Sequence, residues 1–174
     1  EFGQLLMQET QRCYSREGFA VEIAEVAYAF DSTNLDLCLS LFPWAQFDPK
    51  RAGMRVTTAL ALSGNIPCFI GVTTMAESEL VGMDMLPIEP GSLYIFDRGF
   101  FDWKRLHRIS SGGAFFIVRG KADLKFLRRQ SQKVDKTLGV RAEQLISPYS
   151  DNAQKNYPGI LRRISFVDLE TGKR

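Results

Sequence analysis

SLYIFDRGFFDW, Ser92 to Trp103, begins as an apolar run and then sets a carboxylate, a guanidinium and a glycine side by side at Asp97, Arg98 and Gly99. VAYAFDST, Val26 to Thr33, makes the same move 66 residues earlier and reaches Asp31. Short runs of Val, Tyr, Ile and Phe read as buried strands. An aspartate does not belong inside such a strand, so each run is expected to end where its acid begins. A connection this long lets two strands lie side by side and parallel. Neighbouring strands sit about 4.8 Å apart, and open α/β sheets hold ligands at the C-terminal ends of their strands. Asp31 and Asp97 are therefore expected to converge on one spot.

The rest of the chain reads outward from that pair. LDLCLSLF, Leu35 to Phe42, alternates leucines with smaller residues and predicts a half-buried strand. PWAQFDPKRAG reads as a loop. Met54 to Thr74 predicts a hairpin around Ser63-Gly64-Asn65. Thr74 is placed to cap a helix over MAESELVGMDML, which Pro87, Pro90 and Gly91 end. DWKRLHRISS predicts a short amphipathic helix stopped by Gly112 and Gly113, and AFFIVRG a further strand. From Lys121 onward the texture changes to short strands with polar faces, closed by a turn at Glu170 to Lys173. Residues 1–25 form a lead-in, 26–119 an α/β core and 120–174 a β-rich region.

Composition narrows the class. Hydrophobic residues make up 45% of 174, enough for a sizeable core. No apolar stretch is long enough for a membrane span, and no signal peptide is recognisable. Cys13, Cys38 and Cys68 are scattered and His107 is the lone histidine, which argues against a disulfide framework or a zinc site and fits a reducing cytoplasm. Residues 1–97 carry 5 Lys and Arg against 13 Asp and Glu (net −8), whereas residues 98–174 carry 17 against 7 (net +10). A basic half suits a polyanion such as nucleic acid, and equally a solvated face. KADLKFLRRQSQK offers the best phosphate contacts, through Lys121, Lys125, Arg128 and Arg129.

Two converging carboxylates repel unless they share a proton or a cation. Oxygen ligands without His or Cys favour Mg²⁺ or Mn²⁺. Two such ions about 3.5–4 Å apart can activate water and stabilise a leaving oxygen in phosphodiester cleavage. Arg98 would touch a phosphate, and Gly99 would let the chain turn sharply. Either aspartate alone could instead be a helix N-cap. Asp31-Ser32-Thr33 also suggests phosphohydrolases with an aspartate nucleophile, but those need a second acid where Thr33 stands.

AFDSTNLDLCLSLFPWAQF, YIFDRGFFDWKRL, GAFFIVRGKADLKF and YPGILRRISFVDLETGKR, in that order, resemble the DDE transposases of the bacterial insertion-sequence-4 family. The resemblance runs from about residue 26 to residue 174. It implies an RNase H-like core, a mixed sheet flanked by helices, with a β-rich insertion on its C-terminal side. The family's first two acids match Asp31 and Asp97. The implied activity is cleavage of double-stranded DNA at transposon ends and joining to a target, with two Mg²⁺ ions, in a homodimer associated with the bacterial nucleoid. The third acid, a Glu in a helical Tyr–Arg–Glu–Lys motif, has no counterpart here: Glu143 and Glu170 lie in strand or turn texture. It is expected beyond residue 174, which leaves this stretch inactive alone. Arg55-Val56-Thr57 and Ala61 stand where relatives carry Lys–x–His and an acid, and the His-Asp of the first helix is absent near Glu77 and Ser78. A degenerate core that grips DNA without cutting it is the alternative. Some relatives stack a flipped base on an insertion Trp. Trp44 and Trp103 lie outside that region, leaving Phe126, Tyr149, Tyr157 or Phe166 for such stacking.

Overall fold

The computed structural model describes residues 26–172, together with residues 3, 5–7, 9 and 10, which are helical. Most of the lead-in, Cys13 and the last residue of the expected C-terminal turn lie outside the described residues. The chain forms two compact units, Glu1–Lys121 and Ala122–Arg174.

The first unit is built on a mixed sheet. Its elements are β1 (Ala27–Leu37), β2 (Gln46–Asp48), β3 (Arg51–Ala61), β4 (Ile66–Thr74), α1 (Val81–Met85), β5 (Leu93–Phe96), α2 (Trp103–Ser111) and β6 (Phe115–Val118). β3 pairs antiparallel with β1 on one side and with β2 and β4 on the other. β1 pairs parallel with β5, and β5 parallel with β6. The strand order is thus β4–β3–β1–β5–β6. This is an α/β fold with a mixed sheet and few helices. Gly64 (φ 79°) and Asn65 (φ 52°) make the β3–β4 turn where the sequence places it.

Four local expectations need correction, the first being the loop read over PWAQFDPKRAG, where Gln46–Asp48 forms β2 and β3 already begins at Arg51. β1 does not stop at Asp31 but runs on to Leu37, because β3 stays beside it from Tyr28↔Ala61 to Leu37↔Ala52. Only the pairing with β5 ends there, at Phe30↔Phe96. The leucine alternation is therefore the far end of β1, where β5 no longer runs alongside, followed by a turn. Leu35 is 45% and Leu41 72% exposed. The helix expected after Thr74 shrinks to Val81–Met85, which has no side-chain cap. Thr74 stays in β4, and its amide donates to Glu77 Oε2 at 3.2 Å.

The core lies on one face of the sheet. Tyr28, Phe30, Tyr94 and Phe96 point to it and are nearly inaccessible. Phe100, Leu106, Ile109, Met83 and Leu86 close it from the helical side. Arg108 in α2 ties the helices together by donating to Met83 O at 2.6 Å and Leu86 O at 2.5 Å. α1 sits close to the sheet because residue 82 is glycine. A Cβ there would lie 2.6 Å from Thr57 Oγ1 and 2.9 Å from its Cγ2. Thr57 is fully buried and β-branched, so it has nowhere to go. Gly82→Ala is expected to destabilise by about 1–2 kcal/mol, since overpacking outweighs the gain in helix propensity. Thr57→Ala in the same chain should restore most of the loss. A melting curve of the two variants checks this.

The opposite face is different. Ile70, Val72, Phe115 and Ile117 point to it and are about half exposed. Alternation along each strand places Asp31, partner of Thr58, on this same face.

The second unit is a three-stranded antiparallel sheet in the order β7 (Phe126–Gln132), β8 (Val140–Pro148), β9 (Leu161–Phe166). The sequence signals these strands. It does not signal α3 (Asp151–Asn156), which starts on Ser150, whose Oγ accepts from the Ala153 amide at 3.3 Å. The closing turn is organised by Asp168, whose Oδ1 accepts from the amides of Glu170 (2.9 Å) and Thr171 (3.2 Å). Among the described residues no helix is long and apolar enough to cross a membrane. Cys38 and Cys68 are free thiols, and burial pushes that of Cys68 up to about 11.

Candidate functional site

Phe30 and Phe96 are register partners on β1 and β5, and each is followed by an aspartate. Asp31 and Asp97 therefore occupy neighbouring positions, one residue past the last pair of the parallel ladder. Their backbones are held by the rings beneath them. The Phe30 ring lies 5.3 Å from Phe96 and 5.0 Å from Phe100, edge to face in both cases. The rings turn inward, so alternation turns both carboxylates to the other face. Asp31 and Asp97 are exposed there.

Each carboxylate is fixed by the amide that follows it. Asp31 Oδ1 accepts from the Ser32 amide at 2.8 Å. The Arg98 amide bonds to Asp97 and, with the nearby Arg119 and Arg98 charges, holds its carboxyl below the usual carboxylate range. Neither acid caps a helix with its side chain. Asp31 lies within β1, and Asp97 precedes a 3-10 turn, Arg98–Phe100, without a capping bond. The α2 cap is Asp102, whose Oδ1 accepts from the Arg105 amide at 3.0 Å.

Two neighbours of this pair are invisible in the sequence. Arg119 follows β6, where Val118 pairs with Phe96. Its Nη1 donates to Asp97 Oδ1 at 2.9 Å. Glu79, in the turn before α1, bonds Ser32 Oγ through Oε1. Its Oε2 lies 3.5 Å from where a Cβ on Gly99 would stand. Glu79 thus spans from the residue after Asp31 to the turn after Asp97.

The donor set is two aspartates with no His or Cys. That chemistry fits a hard, largely hydrated dication, which needs only one or two protein carboxylates. It does not make a closed cage: among the described residues no group of three or more His, Cys, Asp or Glu could hold a metal.

The expected phosphate contacts divide between the units. Arg98 is exposed in the turn after Asp97, and Lys121 ends the first unit. Lys125, Arg128 and Arg129 belong to the second, around β7, and are exposed. A register shift falls between Arg128 and Gln130, and Arg129 Nε there donates to Ser147 Oγ at 2.8 Å. Of the aromatics considered for stacking, Tyr157 is buried, whereas Tyr149 is 57% and Phe166 51% exposed. Phe126 lies under the Arg163 guanidinium, 4.9 Å from its ring centre.

No known family profile and no solved structure matches the chain. One curated protein does, "Putative transposase y4zB" of Sinorhizobium fredii (strain NBRC 101917 / NGR234), at 28% identity over 132 residues. The match takes in 75% of this chain and 35% of that protein. The chain thus spans about a third of the length of the curated relative it matches.

Proposed function

We propose that this stretch is the RNase H-like catalytic core of a DDE transposase of the insertion-sequence-4 family, with the second unit as the start of its β-rich insertion. The observation that carries the reading is the Phe30↔Phe96 register, which puts Asp31 and Asp97 side by side on one face. The strand order, three antiparallel strands followed by two parallel ones, agrees with an RNase H-like core. So do the basic second half and the transposase-named relative.

In this reading Asp31 and Asp97 hold Mg²⁺ or Mn²⁺. Such an ion, once bound, polarises a phosphodiester and lowers the pKa of bound water. The chain's own part is positional. The aromatic cluster fixes the spacing of the two acids. The Ser32–Glu79 bond steadies the turn beside them. In this reading exposed Arg98 and Lys121 serve as phosphate contacts of the first unit, and exposed Lys125, Arg128 and Arg129 as those of the second. A third carboxylate, and with it room for two ions, comes from a part of the protein outside this stretch. Its helix would cover Ile70, Val72, Phe115 and Ile117, which lie half exposed on the face that carries the acids. Homodimeric synapsis of two DNA ends belongs to that longer protein.

The second reading is a DNA-binding core that does not cut, and Arg55-Val56-Thr57 and Ala61, which stand where relatives carry Lys–x–His and an acid, favour it. One assay separates the two. The longest reading frame containing this stretch is incubated with plasmid and duplex DNA in Mn²⁺ and in Mg²⁺. The enzyme reading expects metal-dependent nicking, whereas DNA binding without nicking supports the alternative. The 174-residue stretch itself should bind Mn²⁺ no tighter than the millimolar range.

A further inference from the structure

Arg119 is not among the residues that the sequence pattern marks, yet the fold gives it a direct contact with Asp97. Its amide donates to Phe96 O at 3.2 Å, extending the β5–β6 ladder by one residue. That bond fixes where Arg119 starts. Val118, its predecessor, pairs with Phe96, so Arg119 shares a row and a face with Asp97. Asp31, Asp97 and Arg119 therefore stand in line across three neighbouring parallel strands: acid, acid, base.

The line has a chemical consequence. Of the two exposed carboxylates, Asp97 takes Arg119 as its positive partner. Its Nη1 meets Asp97 Oδ1 at 2.9 Å, with the two side chains 63% and 50% exposed. A pair this open adds little to stability. It is also easily exchanged, because water can solvate either partner as it leaves. The contact described uses one nitrogen of a group with five N–H donors. Once off Asp97, the same guanidinium can take a phosphate oxygen pair.

We propose that Arg119 occupies Asp97 in place of the divalent cation, so that cation entry and the release of Arg119 to a DNA phosphate are one exchange. The proposal rests on the metal site of the preceding section. It assigns Arg119 as a positioning residue: it sets the cation affinity of Asp97 and makes DNA and metal binding help each other. Linkage requires that help to be mutual.

The test uses the 174-residue chain with Mn²⁺ and a short DNA duplex as probes. Free Mn²⁺ is followed by electron paramagnetic resonance in wild type, Arg119→Ala, Arg119→Lys and Asp97→Asn. Removing a positive charge next to a cation should tighten Mn²⁺ binding about 3- to 10-fold in Arg119→Ala. Arg119→Lys keeps the charge and should stay within about 2-fold of wild type. Mn²⁺ should strengthen duplex binding by wild type more than by Arg119→Ala. Equal or weaker Mn²⁺ binding by Arg119→Ala overturns the exchange while leaving the site intact. Mn²⁺ binding that survives Asp97→Asn unchanged overturns the metal site itself, and the exchange with it.

Discussion

Replacing Asp97 by asparagine is expected to lower metal-dependent DNA nicking by the longer protein at least about 100-fold, a loss no smaller than that for removing groups that merely support metal ligands. Asparagine keeps the shape and removes the charge that attracts a dication. The position is half exposed and lies outside the packed rings, so folding should be untouched. Asp31→Asn should do the same for the same reason. The double variant should be hardly worse than either single one, because residues that act as a unit lose their effect together. Single-turnover nicking in Mn²⁺, with melting curves as the folding control, measures all three. A single variant that keeps more than about a tenth of the rate is incompatible with shared metal binding.

The second large effect is structural. Phe96→Ala should cost about 3–5 kcal/mol. The ring is 2% exposed and lies 5.3 Å from Phe30, 6.3 Å from Phe100 and 6.4 Å from Tyr94, so its loss opens a hole at the centre of the aromatic cluster. For a chain of this size the melting temperature should fall by roughly 10 °C or more. Phe96→Leu keeps most of the volume and should lose much less. Because the same ring sets the backbone that carries Asp97, Phe96→Ala should also weaken Mn²⁺ binding in the fraction that remains folded. A chain that melts within a few degrees of wild type would show that the cluster does not support the site.

How much of this can be read from residues depends on what each residue depends on. The neighbouring acids are legible because two apolar runs of strand formers, each ending in an aspartate, need only a parallel pairing to meet. The course of β1 past Asp31 is not legible. Burial stops there, but hydrogen bonding to β3 does not, and hydrophobicity reports only burial. Leu35 and Leu41 mislead for the related reason that a period of two marks a strand without saying whether anything covers it. α1 is overestimated because MAESELVGMDML has helical spacing, while Gly82 and the missing cap leave only five residues helical. Arg119 and Glu79 become meaningful only once β6 is known to flank β5 and the turn before α1 is known to sit over Ser32 and Gly99. In the sequence, one ends a strand and the other sits in an expected amphipathic helix. The strands after Lys121 announce themselves by alternation, whereas α3 is too short to carry a period.

The central claim is that Asp31 and Asp97 share one cation. Fe²⁺ in place of Mg²⁺, with ascorbate and peroxide, cuts a protein backbone next to the bound ion. The wild-type chain should be cut near both residue 31 and residue 97, and either single asparagine variant should lose both cuts. Cuts at only one of the two positions, or variants that each lose only their own cut, would contradict the claim.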